Sequence, residues 1–537
     1  MPRVLLIGLD GADPDLVGTW MSQGLLPHLK RLAEQGGFSP LQSTCPPVTY
    51  PAWTTCVTGV NPGKHGIFDF TRFCPLTYRV RFVTGRDRRA PALWEILSAV
   101  GARVVVLSVP GTYPPDPVQG IFVSGFDSPV AQRIEARCVY PSERYADVRD
   151  WTFADIQESR LHPGWHHEAL GRLLAGLDTK EDITLRLLTQ ESWDFFMVVF
   201  GEADTISHHF WLFHDRTSPR FTEDPALADA IQRIYQRLDA AVGALCDALP
   251  TDTHVLVVSD HGFGGAGDRV AYINAWLAQN GYLARTHERP ASSSLKALGL
   301  GVVPAALKGY LFRRLRAMAD RAESAARTRG IDWTHTQAWS EELNYFPSIR
   351  LNVRGRERQG VVPPEQYTER LSRLSSEICS WEPIAEARPR AELYDGPYAH
   401  LAPDLILFPR DIDGYAYTFL RSRGDVLTRP LAPEEYVGGK EKGTSGIHRN
   451  PGILFTSFPV TEKRPAIQDI APTVLALLGV EGPPMDGRSL CLRPYAPSAS
   501  HRAAYRRVGD KHALEPPLTD DENMQLEERL RKLGYFE

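Results

Sequence analysis

The chain has 537 residues, more than one ordinary hydrophobic core uses, so we expect one large domain with insertions or two to three domains. A charged fraction of 23%, a hydrophobic fraction of 43% and a net charge of -5 exclude a disordered chain and a general electrostatic affinity for nucleic-acid polymers. The seven cysteines are odd in number and never in CxxC spacing, which favours a reducing, cytoplasmic compartment and argues against a thiolate metal site.

The first predicted element is a buried strand. Residues 4–9 (VLLIGL) form an apolar run too short for a signal peptide with its cleavage site, and Asp10 follows it directly. Helical patterns follow around residues 14–22 and 27–36. No uninterrupted apolar stretch reaches membrane-spanning length, so we expect a soluble protein without a membrane span.

Thr49 precedes the next predicted helix. Pro51 favours the first helical position, and the segment AWTTCVTG has a helical length that ends at Gly59. The free N–H groups and the dipole at a helix amino terminus favour phosphate and alkoxide. Thr49 is therefore a candidate nucleophile. By itself it would more often be a simple helix cap.

Strands and helices then alternate. A helix over residues 91–101 precedes a strand over 103–110, and the helices at 181–190 and 229–249 precede strands at 194–200 and 254–259. Buried strands alternating with helices predict an α/β fold with a mostly parallel sheet covered by helices on both faces. Ligands bind beyond the carboxyl ends of such strands, and Asp10, Asp204 and Asp260 all lie just past predicted strand ends.

Three histidines accompany these acids. Helical spacing would place His208 on the same face as Asp204, and a tight turn in SDHGFGG, permitted by its glycines, would let Asp260 and His261 face one site. His448 lies in a glycine-rich segment that we expect to be a loop. Three carboxylates and three imidazoles suit two divalent cations, with zinc expected and manganese as the alternative.

Two regions interrupt the alternation. We predict a catalytic core over residues 1–285, with a loop-rich insertion at about 66–180, then an α+β cap over 286–440. The core resumes over 441–495, and a charged helical tail follows over 496–537. The cap contains a basic helical stretch at 308–321, which we interpret as a solvated amphipathic face.

The segment TYPAWTTCVTGVNPGKHGIFDF resembles the nucleophile segment of the type I phosphodiesterase/nucleotide pyrophosphatase family, within the alkaline phosphatase superfamily. The resemblance covers roughly residues 1–285 and 440–495, and it implies an alkaline phosphatase-like core. It also implies two metal sites. One would be held by Asp10, Thr49, Asp260 and His261, and the other by Asp204, His208 and His448. The family's nucleotide pyrophosphatases carry asparagine three residues after the nucleophile, where this chain has Ala52.

The resemblance implies a hydrolase of small phosphodiesters or phosphoanhydrides, such as nucleotides, that acts through a covalent phospho-threonine at Thr49. Two alternatives stay open. One is a phosphomonoesterase or a cofactor-independent phosphomutase of the same superfamily, because a large cap could close and exclude water. The other is a metal-stabilised binding protein without catalysis. We interpret His65, in GKHGI, as a structural histidine that holds the turn after the nucleophile helix.

Overall fold

The computed structural model describes residues 2–125, 134–153, 164–286, 330–342, 344–422, 424–436 and 444–494. Within these ranges the strands are, in chain order, β1 (Arg3–Leu9), β2 (Gly37–Leu41), β3 (Thr71–Cys74), β4 (Arg79–Phe82), β5 (Val104–Val109), β6 (Gly120–Ser124), β7 (Val139–Tyr140), β8 (Phe195–Phe200), β9 (Thr253–Val258), β10 (Gly262–Ala271), β11 (Ala338–Trp339), β12 (Ser348–Leu351), β13 (Ile384–Pro389), β14 (Leu405–Pro409), β15 (Asp411–Ile412), β16 (Tyr415–Phe419), β17 (Thr428–Pro430), β18 (Gly446–Arg449) and β19 (Gly452–Thr456).

The α-helices of the same ranges are α1 (Pro14–Ser22), α2 (Pro27–Gln35), α3 (Thr49–Thr58), α4 (Pro62–His65), α5 (Leu93–Ala99), α6 (Tyr145–Val148), α7 (Trp165–Gln190), α8 (Glu202–His214), α9 (Ala230–Asp247), α10 (Ile273–Gln279), α11 (Tyr367–Cys379), α12 (Arg390–Leu393) and α13 (Ile470–Leu478). None of these helices is long and apolar enough to cross a bilayer. The predicted helices at 308–321 and 496–537 lie outside the described residues.

The central sheet has eight strands in the order β2-β19-β9-β1-β8-β5-β6-β7. Its middle strands, from β9 to β6, are all parallel, while β2, β19 and β7 pair antiparallel at the two edges. The predicted α/β class with a mostly parallel sheet is therefore confirmed. The strand predictions for residues 4–9, 103–110, 194–200 and 254–259 match β1, β5, β8 and β9.

Helices cover both faces of this sheet because the strand side chains point alternately to either side. In β1, Leu5 and Ile7 pack into the core cluster under α1, α2, α7, α8 and α9. Val4 and Leu6 pack into the opposite cluster, under α3, α5 and α13. Because apolar side chains pack against both faces of the sheet, the polar side chains lie at the edge where the strands end.

Two smaller sheets lie in the later part of the chain. One has the order β11-β12-β14-β13 and is covered by α11, whose Leu371, Leu374 and Ile378 are buried against it. In the other sheet β10 pairs with β16, β17 and β18. Strand β10 thus leads from the core towards the later sheets. The division of the chain into core, cap and tail stays a prediction.

Candidate metal centre

Three aspartates meet at one edge of the central sheet. Asp260, Asp10 and Asp204 follow β9, β1 and β8, which are neighbours in the sheet. The backbone N–H of Asp10 donates to the carbonyl of Phe200 at 2.9 Å, which continues the pairing of β1 with β8 up to the site. The parallel order of these strands is the reason why acids separated by about 250 residues of sequence become neighbours.

The first group of possible metal ligands consists of Asp204, His208 and His448. Asp204 and His208 lie in the first two turns of α8, and Asp204 Oδ1 is 3.4 Å from His208 Nε2 and 3.2 Å from His448 Nε2. The prediction that His448 lies in a loop is wrong. It lies in β18, where it pairs with Phe263 of β10, and this pairing holds the imidazole against α8.

The two imidazoles of this group face each other through their Nε2 atoms. His208 Nδ1 lies 2.9 Å from the Gly446 carbonyl and His448 Nδ1 lies 3.1 Å from the Pro47 carbonyl. Because a carbonyl only accepts, each Nδ1 donates to it, and Nε2 is the ring atom that faces Asp204. The two Nε2 atoms lie 3.0 Å apart. This arrangement fits a cation that both nitrogens ligate.

The second group consists of Asp10, Asp260 and His261, and Thr49 adjoins it. His261 Nε2 lies 3.3 Å from Thr49 Oγ1, 3.3 Å from Asp260 Oδ2 and 3.6 Å from Asp10 Oδ1. His261 Nδ1 lies 3.2 Å from the Gly262 carbonyl, which again leaves the lone pair on Nε2. Among the described residues, Asp10 Oδ1 and Asp260 Oδ2 are buried without a hydrogen-bond partner. Orphaned buried carboxylate oxygens fit a metal-binding role.

The pKa shifts of the three aspartates show how closely their negative charges lie together. Burial and the nearby Asp204 raise the pKa of Asp10 well above its ordinary value, and burial and Asp10 do the same to the pKa of Asp260. Burial would also raise the pKa of Asp204, but His208 and His448 outweigh it and hold that pKa well below the ordinary value. Burial lowers the pKa of His261 to about 4, so its imidazole is neutral at pH 7. Neutral imidazoles beside clustered carboxylates match a cation site.

Thr49 is the first residue of α3, so the helix begins two residues before the predicted position of Pro51. Gly59 ends the helix in a left-handed conformation with φ of 68°, as predicted. Pro51 has no N–H, and the Ala52 N–H donates to the Val48 carbonyl at 2.9 Å, so the first turn offers fewer amide donors than a helix amino terminus usually does. Ala52, one turn along, is fully buried in the apolar cluster on this face and offers the site no polar group.

The glycines after His261 have a different role from the one predicted. They form the start of β10 and have no positive φ, so they do not make a turn. Instead, neighbouring atoms leave no room for a side chain at two of these positions. A Cβ at Gly262 would lie 2.4 Å from the Pro451 carbonyl oxygen, and one at Gly264 would lie 2.0 Å from Arg449 Nε. Gly262 is required because the backbone of Pro451, just after β18, lies against it, and Gly264 leaves space for the Arg449 side chain of β18.

Sequence patterns missed two residues that support the site. Trp53 Nε1 donates to Asp10 Oδ2 at 2.9 Å, and its position four residues after Thr49 on α3 was the available signal. The Tyr345 ring stacks on His448 with 3.9 Å between centroids, and the His448 N–H donates to the Tyr345 hydroxyl at 3.0 Å. Nothing local in the sequence marks Tyr345, because its contact depends on the later sheets.

His65 is structural, as we interpreted it. It is fully buried, its Nε2 lies 2.9 Å from Thr55 Oγ1, and its Nδ1 accepts from the Ile67 N–H at 3.2 Å. Burial, with Arg88 adding to it, lowers the pKa of His65 to about 3. The neutral ring therefore holds the turn between α4 and the following segment without facing the aspartates.

Several known proteins are similar to this chain. The human ectonucleotide pyrophosphatase/phosphodiesterase family member 1 is 23% identical over 293 residues, which are 51% of this chain and 25% of the human protein. The bovine family member 3 is 29% identical over 96 residues, 18% of this chain and 11% of that protein. The chain thus spans at most about a quarter of the length of these curated relatives.

Two solved structures are similar at low identity. Phosphonoacetate hydrolase from Sinorhizobium meliloti 1021, in complex with phosphonoformate, has 15% identity and a TM-score of 0.48, over 89% of this chain and 96% of that one. An inactive variant of murine ectonucleotide pyrophosphatase/phosphodiesterase 5, in complex with AMP, has 12% identity and a TM-score of 0.47, over 91% and 97%.

The family itself is decided by the sequence. The model of the family described as "Type I phosphodiesterase / nucleotide pyrophosphatase" matches residues 4–423. This match covers more than half of the chain, and it begins in β1, the strand that Asp10 follows. The resemblance predicted from the nucleophile segment is therefore confirmed: the chain belongs to the type I phosphodiesterase/nucleotide pyrophosphatase family.

Proposed function

We propose that this protein hydrolyses phosphodiester or phosphoanhydride bonds of small substrates at a centre of two divalent cations, through a phospho-threonine at Thr49. Family membership supports the hydrolysis of phosphodiesters. The single observation that carries the mechanism is the position of Thr49 Oγ1, at a helix amino terminus and 3.3 Å from His261 Nε2. A hydroxyl in that position adjoins the ligand group of Asp10, Asp260 and His261.

The residues present fit two cations. Asp204, His208 and His448 would hold one, and Asp10, Asp260 and His261, together with Thr49, would hold the other. The mixture of carboxylate oxygens and imidazole nitrogens favours zinc, with manganese as the alternative. When bound, such cations supply Lewis-acid charge that stabilises the oxygens of an in-line phosphoryl displacement.

The chain's own residues account for the rest of the reaction. Thr49 Oγ1 forms the bond to phosphorus while the bond from phosphorus to the leaving oxygen breaks, and the hydroxyl proton passes to solvent. The partial positive charge at the amino terminus of α3, where Thr49 is the first residue, stabilises the negative phosphoryl oxygens. Water then attacks the phospho-threonine, which releases the phosphate product and restores the Thr49 hydroxyl. Trp53 and the Gly11 N–H keep Asp10 and Asp260 in place throughout.

The experiment compares Thr49→Ala and Thr49→Ser with the wild type on methyl 4-nitrophenyl phosphate. We expect Thr49→Ala to lose activity by at least about a thousandfold while its zinc content, measured by elemental analysis, falls by no more than one ion per chain. Thr49→Ser should keep part of the activity, because it retains a hydroxyl. Mass spectrometry of acid-quenched wild type should find the phosphoryl adduct on the peptide containing Thr49. Wild-type turnover by Thr49→Ala would overturn the proposal.

The substrate range and the location in the cell belong to the same proposal. With Ala52 in place of a polar side chain, the phosphoryl oxygens depend on backbone N–H groups and cations, so we propose that monoesters are turned over more slowly than diesters but not excluded.

We also propose a cytoplasmic location, which is supported by the free state of all seven thiols. Cell fractionation with an antibody against the chain tests the location.

A further inference from the structure

A cavity of about 550 Å³ opens beside the candidate metal centre. His448 forms part of its wall, and so does Pro47, whose carbonyl accepts from His448 Nδ1. Tyr345, stacked on the His448 ring, is a third part of the wall. The cavity therefore begins at one of the ligand groups and extends away from it into the later sheets.

Aromatic and apolar side chains make most of the cavity wall beyond His448. Phe346 and Phe408 lie with 6.4 Å between ring centroids, and both are only half-buried. Phe419, also half-buried, lines the same space from β16. Half-buried aromatic rings that face a cavity gain free energy when an apolar group covers them. Their arrangement fits a ligand group with its own ring system.

The positive and negative side chains on the cavity wall are equal in number. The lining contains three arginines and three carboxylates: Arg421, Arg429, Arg449, Glu342, Asp411 and Glu435. Arg429 is paired with Glu435 at 2.7 Å and Arg449 with Asp411 at 2.8 Å, and Arg421 also has a partner. The described lining therefore has no excess of positive charge that would favour a second phosphate group.

We propose that this cavity binds a bulky, uncharged aromatic group of the substrate, so that the enzyme prefers aryl-bearing phosphodiesters to nucleoside polyphosphates. This proposal rests on the proposed function, because it assigns one substituent of the phosphodiester to the space next to His448. The volume lies within the range of about 300–1,000 Å³ that organic ligands usually occupy. The wall would recognise the group by stacking and by apolar burial rather than by charge.

A substrate series tests the proposal. Phosphodiesters that share a 4-nitrophenyl leaving group and carry methyl, phenyl, 2-naphthylmethyl or thymidine 5′ as the second group are compared by kcat/KM on the zinc-loaded full chain. We expect a rise of at least about tenfold from methyl to naphthylmethyl, since each well-buried apolar addition contributes a factor of about ten or more. A flat series, or a thymidine ester that exceeds the naphthylmethyl ester, would overturn the proposal.

A binding measurement separates this proposal from the proposed function. If none of the esters is hydrolysed, the proposed function fails, and calorimetry on the zinc-loaded protein with 2-naphthylmethylphosphonate and methylphosphonate still tests the cavity. Binding of the naphthylmethyl compound at least about tenfold tighter supports the cavity assignment. Equal affinities contradict it, whatever the activity.

Variants locate the effect in the cavity. Phe408→Ala and the milder Phe408→Leu should each lower the naphthylmethyl-to-methyl ratio of kcat/KM by at least about threefold. Phe38 is the matched control, because it is a half-buried phenylalanine outside the lining that stacks on Phe455 at 4.5 Å. Phe38→Ala should keep the wild-type ratio. If both Phe408 variants fold, as judged by melting, and keep the wild-type ratio, the assignment is wrong.

Discussion

His208 Nε2 and His448 Nε2 lie 3.0 Å apart, and the Nδ1 of each ring donates to a backbone carbonyl. With both rings neutral, two buried lone pairs at that distance would repel each other. Asp204 Oδ1, within 3.4 Å of both, adds a further negative partner. A cation between these atoms converts the repulsion into ligation, so we expect the folded state to be stabilised by metal.

Metal removal provides the first prediction. Chelation should abolish phosphodiester hydrolysis and lower the melting temperature, and added zinc should restore both. A cation present at about 100 times its dissociation constant contributes about 2.7 kcal/mol to stability. His448→Ala should reduce bound zinc by about one ion per chain, since the group around Asp10 keeps its own ligands. Unchanged melting after complete chelation, verified by elemental analysis, would show that these groups do not hold metal.

The second prediction concerns a buried ion pair next to the site. Lys180 of α7 and Glu202 of α8 lie 2.5 Å apart, with side chains 2% and 1% exposed, and Lys180 also lies over the Trp151 ring. Lys180→Met should destabilise the fold by about 3–5 kcal/mol, because it leaves the Glu202 carboxylate buried and unpaired. The double variant Lys180→Met with Glu202→Gln should recover part of that loss.

Urea denaturation measures both variants. The control is Arg31→Met, which breaks the ion pair with Asp247, where the side chains are 47% and 60% exposed. Exposed pairs contribute at most about 1 kcal/mol, so this variant should be near neutral. Equal effects of Lys180→Met and Arg31→Met would contradict the prediction.

We expect the stability of the fold to depend on pH through Asp404, the residue before β14. Burial alone would raise the pKa of this carboxyl, but Arg356, which donates to each oxygen at 2.7 Å, outweighs it and holds the pKa below the ordinary value. A lowered folded-state pKa means that the stabilisation is complete above the unfolded-state pKa of about 3.9 and is lost as the pH falls through the folded-state value.

Asp404→Asn tests this dependence. At pH 7 the variant should be less stable than the wild type by about 1–3 kcal/mol, because Arg356 and Arg390 each lose an ion pair with the fully buried Asp404 carboxylate. The difference in free energy of unfolding should stay constant from pH 7 to about pH 5 and shrink as the pH falls below about 4. A difference that is constant down to pH 3 would show that Asp404 does not carry this dependence.

The last prediction uses two glycines. A Cβ at Gly446 would lie 2.1 Å from the Ser207 carbonyl oxygen, and the Gly446 carbonyl accepts from His208. Gly446→Ala should therefore cost about 1–3 kcal/mol and weaken zinc binding by moving β18 away from α8. Gly18, inside α1, has no atom within 4 Å of a Cβ, so Gly18→Ala should be neutral or stabilise by up to about 1 kcal/mol. Melting curves and zinc titrations distinguish the two variants.

The amino-acid sequence by itself determined the central strands β1, β5, β8 and β9, the fold class and the family. The apolar runs before Asp10 and Asp260 are continuous because their strands are buried on both faces, and such runs are readable without knowing the partners. The helical spacing of Asp204 and His208 is equally local. Asp10, Asp204 and Asp260 lie at the carboxyl edge of the sheet because one topological rule places the ends of parallel strands together.

Only the tertiary structure decided how His448 reaches that edge. Its strand pairs with β10 from about 185 residues earlier in the chain, and its ring is held by Tyr345 from a third region. Glycine is likewise needed after His261 because the segment around β18 lies close to it, and not because the chain turns there. Long-range packing sets these contacts, and it leaves no periodicity in the local sequence. The cavity beside His448 has the same origin, because its walls come from segments that the fold alone brings together.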